Sequence, residues 1–311
     1  MDRVTTFGAY NSVITGLMTA EARQNQANVQ ISSGMVAQDL KGFGGSAEAL
    51  TAAKTLKTRV DGFVDNAKTL SSRLDAQNLA LSTVSDAGSG ARQAIANAVA
   101  TGRADGLMQT LQSYLNQASS GLNTQFNGHY LFSGGKVDTP PVAAQSLTDL
   151  VTPPPGGVFQ NDQLAPTSRL DETTTIQSGM LASNVGSGLF NALASVQSFS
   201  QGAGGPLSGQ LTQAQTDFLT NMLGTFDQVN QGLTATVASN GLMQNRTDQA
   251  LSTQQDRQTV LKQMIGNVTD VDMAEAASRL SQAQVALQAS AQVFASLQNT
   301  SLLNYLGASS G

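Results

Sequence analysis

Three places in this 311-residue chain hold residue types that could do chemistry. The first is His129, the only histidine, set between Gly128 and Tyr130. A metal site or a Ser-His-Asp triad built on it would need partners. The chain has no Cys and no second His, and no Asp or Glu occurs in the twenty residues before His129. A structural or surface role is the reading for this side chain. The second place is Asp270-Val271-Asp272-Met273-Ala274-Glu275, with three carboxylates in six residues. A calcium loop needs its full set of ligands at fixed spacing and a glycine at its sharp turn, and this run lacks both. Asp272 and Glu275, three apart and just ahead of a helical run, fit a capping box instead. The third is Gly42-Phe43-Gly44-Gly45-Ser46, which shares only its glycine content with a phosphate loop and reads as a hinge. The lack of Cys also excludes thiolate zinc sites, disulfides and a Cys nucleophile. No catalytic, cofactor-binding or metal residue is assigned, and the chain reads as a non-enzyme.

Charge narrows the classes further. There are 16 Lys+Arg against 21 Asp+Glu, a net charge of -5. Nucleic-acid binding needs clustered basic residues to neutralise phosphates, so it is disfavoured. Charge is also unevenly placed: none lies between Thr173 and Thr216, and only Arg279 lies beyond Ala276. A long helix standing in water normally carries a charged outer face. The C-terminal run instead carries Gln282, Gln284, Gln288, Gln292 and Gln298 among Ala and Ser. Such side chains can be covered by protein without the desolvation cost of a charge, so this helix reads as one surrounded by protein. The first residues hold no apolar run of signal-peptide length, and no stretch approaches the ~20 apolar residues of a bilayer span. General secretory export and membrane insertion are therefore not expected, and export without a cleaved signal stays open.

Proline and periodicity give the elements. All seven prolines lie between Pro140 and Pro206. Proline inside a helix costs roughly 3 kcal/mol, so two proline-free helical arms around a non-helical centre are predicted. In the first arm Ala53, Val60, Ala67, Leu74 and Leu81 repeat every seven residues, with Leu56, Phe63, Leu70, Gln77 and Val84 three further on. This is a coiled-coil seam. Val60, Phe63, Leu70, Leu74 and Leu81 are taken as its core. A helix from Leu107 to Phe126 follows the break at Thr101-Gly102, and another covers 180–200. The second arm has its own stripe, from Leu211 through Phe226 and Leu233 to Val268. The last helix has Leu280, Leu287 and Phe294 seven apart with Leu297 and Leu302 beyond them. The first has Phe7, Ile14, Leu17 and Ile31 at helical spacing. These two charge-poor seams are expected to meet in an assembly interface. Between the arms, Tyr130, Leu131 and Phe132 form an aromatic strand of a β-hairpin ended by Gly134-Gly135.

The predicted fold is mainly α: long antiparallel helices in a coiled-coil rod, with a β-hairpin and a small β-rich insertion. The expected parts are a terminal helical assembly domain (1–42 with 269–311), a helical rod domain (43–135 with 177–268) and the insertion (136–176).

The run Asn267-Val268-Thr269-Asp270-Val271-Asp272-Met273-Ala274-Glu275-Ala276-Ala277-Ser278-Arg279-Leu280-Ser281-Gln282-Ala283-Gln284, the ending Leu302-Leu303-Asn304-Tyr305-Leu306 and the turn Ile31-Ser32-Ser33-Gly34 resemble the flagellin-like family of bacterial axial proteins. Tyr130-Leu131-Phe132-Ser133-Gly134-Gly135-Lys136-Val137-Asp138-Thr139-Pro140-Pro141 is similar to its hook-associated branch at the hook–filament junction. The family's Asp-Asp motif after the Ser-Gly turn is absent, which weighs against a filament subunit. The resemblance implies a secreted structural protein of the bacterial flagellum, exported by the type III apparatus for motility. It implies helical self-assembly, another hook-associated protein and flagellin as axial neighbours, and an export chaperone at the C-terminal helix. Alternatives are flagellin itself, or a secreted helical binding or adhesion module.

Overall fold

The structure, a computed structural model, describes residues 2–308, with side chains described from residue 10 to residue 297. In chain order the elements are α1 (Asp2–Ser33), a 3-10 turn (Leu40–Ser46), α2 (Ala47–Thr101), α3 (Leu107–Leu122), β1 (Gln125–Phe126), β2 (His129–Tyr130), α4 (Leu147–Val151), β3 (Thr167–Arg169), β4 (Thr175–Gln177), α5 (Ala182–Gln201), α6 (Gln213–Thr269) and α7 (Met273–Ala308). The fold is mainly α with a small β insertion. Two units form: Met1–Thr58 with Gln258–Gly311, and Arg59–Arg257. Their borders fall inside α2 and α6, away from the 42/43 and 268/269 positions marked by glycine and capping residues.

In the second unit α2 and α6 run antiparallel. Their cross-links are Arg92 with Asp227, Gln77 with Asn240, Asp75 with Gln244 and Ser71 with Asp248. Positions fall along α2 as they rise along α6. The α2 seam buries Val60, Ala67, Leu74 and Leu81 at one heptad position and Leu70, Gln77, Val84, Ala91 and Ala98 at the other. Helix α3 buries Leu107, Leu111, Leu115, Ala118 and Leu122, steps of four and three that keep one face inward. Gly90 of α2 lies so close to the Tyr114 ring of α3 that a side chain there would collide with it. Helix α5 adds Leu189, Leu193 and Val196 to the same core.

The β-hairpin is shorter than the aromatic run suggested. β1 and β2 pair Gln125 with Tyr130 and Phe126 with His129. Between them Asn127 and Gly128 both take positive φ, 51° and 82°, as a type I′ turn requires. The strand stops at Tyr130. Leu131 and Phe132 turn inward and are buried, with the Phe132 carbonyl accepting from the Ala182 amide at 2.9 Å.

The proline-rich centre is not a separate body. Two- and three-residue strands cannot bury a core of their own, and the segment uses the helical core instead. Val142, Ala144 and Leu147 join the main cluster, and Phe159 stacks on Phe190 of α5 at 5.2 Å. β3 and β4 pair in register Ser168 to Ile176. Their loop is fixed by Asp171, whose Oδ1 accepts from the amides of Thr173 (2.7 Å) and Thr174 (2.6 Å). Those amides hold the Asp171 carboxyl down to about 2. A depressed carboxylate stabilises the fold above its unfolded pKa of about 4, and that contribution is lost as pH falls toward about 2. Asp149 and Asp162 are lowered for the same reason, by the amides of Gln145 and Ser146 and of Gly135 and Leu164.

Candidate assembly interface

The first unit is built on the antiparallel pair α1 and α7. Its inner seam is made of small residues: Ala20 and Ala27 on α1, Ala276 and Ala283 on α7, with Gln30 also buried. Around them Val13, Leu17, Gln24 and Ile31 on α1 and Leu280, Leu287, Phe294 and Leu297 on α7 are half-buried. Both series repeat at three and four residues, the spacing of a coiled-coil seam. Tyr10 and Phe294 pack ring to ring, centroids 5.1 Å apart.

The ends of these helices are fastened to each other through backbone. The Val36 amide donates to the Thr269 carbonyl (2.8 Å) and the Val271 amide to the Gly34 carbonyl (3.0 Å). Gln30 Nε2 donates to the Val36 carbonyl at 2.9 Å, which satisfies the buried amide. Gly34 makes the turn with φ of 70°. The Ser-Ser-Gly turn and the Val-Thr-Asp run, two of the segments behind the family resemblance, are thus direct neighbours. Asp272 caps α7, its Oδ1 accepting from the amides of Ala274 (2.9 Å) and Glu275 (3.1 Å). Glu275 pairs with Arg279 at 2.5 Å. These carboxylates have structural employment, and among the described residues no three His, Asp or Glu side chains converge as a metal site needs. His129 is exposed and lies 3.2 Å from Asp138.

Of the residues expected at the interface, Ile14, Leu17, Ile31, Leu280, Leu287, Phe294 and Leu297 are half-buried within the first unit, and the side chains of Phe7 and Leu302 lie outside the described residues. In the rod, Val60, Leu70, Leu74 and Leu81 are buried and Phe63 is half-buried beside buried Val64. In the sequence Ala283 is marked by its place between Leu280 and Leu287, whereas Ala20, Ala27 and Ala276 are too small to stand out in a hydrophobic pattern. Beyond the seam both helices leave apolar side chains in solvent. Met18 is 63% exposed and Val285 62% exposed, with Val29 and Val293 also out. An alanine seam buries little apolar area, and most helix stability comes from tertiary packing. The pair therefore has apolar surface left for a neighbour. Among the described residues no helix is long and apolar enough to cross a membrane.

The second unit has a cleft of about 540 Å³ lined by Asn116, Ser119, Gln145 and Gln160 among others, and a smaller one of about 300 Å³ where Arg103 pairs with Asp105 beside Tyr114. All side chains lining the larger cleft are neutral, and no acid–base pair faces it.

Residues 223–306 match the family model of the bacterial flagellin C-terminal helical region. No curated protein sequence matches the chain. Among solved structures it is similar to a Vibrio parahaemolyticus protein assigned to the flagellar hook-associated proteins. That likeness has a TM-score of 0.59 at 16% identity and covers 75% of this chain and 99% of that one. It is also similar to FlgL of Bacillus cereus, with a TM-score of 0.52 at 14% identity over 70% of this chain and 98% of that one. At such identities the likeness is one of fold. Residues 223–306 thus carry the flagellin C-terminal helical pattern, and about three quarters of the chain shares the fold of the flagellar hook-associated structures it resembles.

Proposed function

We propose that this chain is a structural subunit of the bacterial flagellum, a junction protein of the hook-associated protein 3 type that joins hook to filament. The observation that carries the reading is the α1–α7 pair: a flagellin-type C-terminal helix seated on the N-terminal helix by a thin alanine seam, with apolar side chains left uncovered. Residues Phe7, Ile14, Leu17, Ile31, Leu280, Leu287, Phe294, Leu297 and Leu302 are proposed to bury further when copies pack side by side. The protein acts by shape and packing and performs no catalysis. It is secreted through the flagellar type III apparatus. Another hook-associated protein and flagellin are its axial neighbours, and an export chaperone holds the C-terminal helix beforehand.

A filament subunit is the second reading, favoured by the flagellin model over 223–306. Electron microscopy of cells lacking this chain separates the two. The junction role is expected to give hooks without filaments and filament protein free in the medium. Filaments of normal length on such cells would contradict it.

A further inference from the structure

The rod of the second unit is unevenly built. From Leu81 to Ala98 on α2 and from Leu219 to Leu233 on α6 the seam belongs to a cluster of thirty buried apolar residues that also takes in α3 and α5. Further along the same two helices the buried apolar residues of α2 are Val60, Val64, Ala67, Leu70 and Leu74, and the cluster formed there is only Ala67, Leu70 and Leu74 with Leu170 from outside the pair. The α6 seam changes chemistry at the same place. Phe226 and Leu233 are followed at intervals of seven by Asn240, Thr247 and Gln254, each essentially fully buried. Opposite them Gln77 Nε2 donates to Asn240 Oδ1 at 3.0 Å, and Asn240 Nδ2 donates to the Leu74 carbonyl at 3.0 Å. Gln77 Oε1 and Gln254 Oε1 are buried with no partner. Polar residues at core heptad positions reduce coiled-coil stability, and an unpaired buried acceptor adds its desolvation penalty.

What covers this weak stretch is the β3–β4 hairpin. Leu170, 2% exposed, packs into Ala67, Leu70 and Leu74, and Ile176 packs against the same cluster alongside Met243, Ala250 and Leu251. The hairpin loop is tied to α2 by Glu172, which pairs with Arg59 at 2.5 Å. Asp171 stiffens that loop through the Thr173 and Thr174 amides. The hairpin is therefore a preformed apolar clip placed where the helix pair has least apolar core.

We infer that the stretch pairing Val60–Gln77 with Asn240–Gln254 is a compliant joint in the rod, and that the β3–β4 hairpin is the clasp that keeps it closed. Local opening draws on the segments with fewest buried apolar contacts. Here opening parts amides and a few aliphatic side chains and leaves the thirty-residue core untouched. In a rod that bears load, bending is taken up at this point without unfolding the rest.

Hydrogen exchange on the full chain, followed by mass spectrometry, tests this. Amides in 62–77 and 240–254 are expected to exchange at least about tenfold faster than those in 84–98 and 222–233. Leu170→Ser is expected to speed the first set by about another tenfold and leave the second unchanged. Gln77→Leu combined with Asn240→Leu replaces the polar layer by an apolar one without orphaning either amide, and is expected to slow the first set. Equal exchange of the two sets in the unaltered chain would overturn the joint. A Leu170→Ser effect that is absent, or shared by both sets, would overturn the clasp. An unchanged rate in the double-leucine variant would remove the polar seam as the cause.

Discussion

Leu287→Glu and Phe294→Asp are each expected to abolish incorporation of the chain into the flagellar axis while leaving the second unit folded. Both residues lie on the α7 seam, half-buried against α1, with apolar surface still to lose. Fully burying one such side chain from water contributes about 1.5–3 kcal/mol, of which these half-buried ones have about half still to gain. A carboxylate in its place loses that term and must also be desolvated without a partner. Arg279 is the only cation from Ala276 to the C-terminus, and it is already paired with Glu275. Repeated at every copy in a layer, the penalty multiplies. The second unit, Arg59–Arg257, contains neither residue. Its thermal transition is expected to move by no more than about 2 °C, since distant sites act independently. Normal incorporation would put the seam outside the interface; a large fall in that transition would make α7 part of the folding core.

The second large effect concerns the segment that the sequence assigns to a hairpin. Phe132→Ala is expected to destabilise the second unit by about 3–5 kcal/mol, the usual cost of emptying a buried phenylalanine site. For a unit of this size that lowers the melting temperature by about 6–20 °C. Phe132 is fully buried in the main cluster. A change of under about 2 °C would show that the segment after β2 sits loosely on the rod. Circular dichroism at 222 nm during heating measures either outcome.

The contrast between these segments explains what could be read from the residues alone. The α2 seam is legible because large apolar side chains hold the heptad period across it, and Val60, Leu74 and Leu81 are buried at that period. The matching seam of α6 is not, because Asn240, Thr247 and Gln254 occupy its inner positions and look like surface residues. Only the seven-residue step from Phe226 and Leu233 carries their placement. The α1–α7 contact was legible in direction, from two charge-poor helices with apolar stripes, but its innermost residues are alanines that a hydrophobic pattern underweights. The centre was legible as non-helical from its prolines. That it would contribute Val142, Leu147 and Leu170 to helical cores was not, since those contacts are set by tertiary packing of short irregular segments.

The junction reading is tested most directly by where the protein sits. Gold-labelled antibodies raised against this chain, applied to intact flagella and imaged by electron microscopy, are expected to mark a single narrow band between hook and filament. Label spread along the whole filament, or absent from the axis, would contradict it.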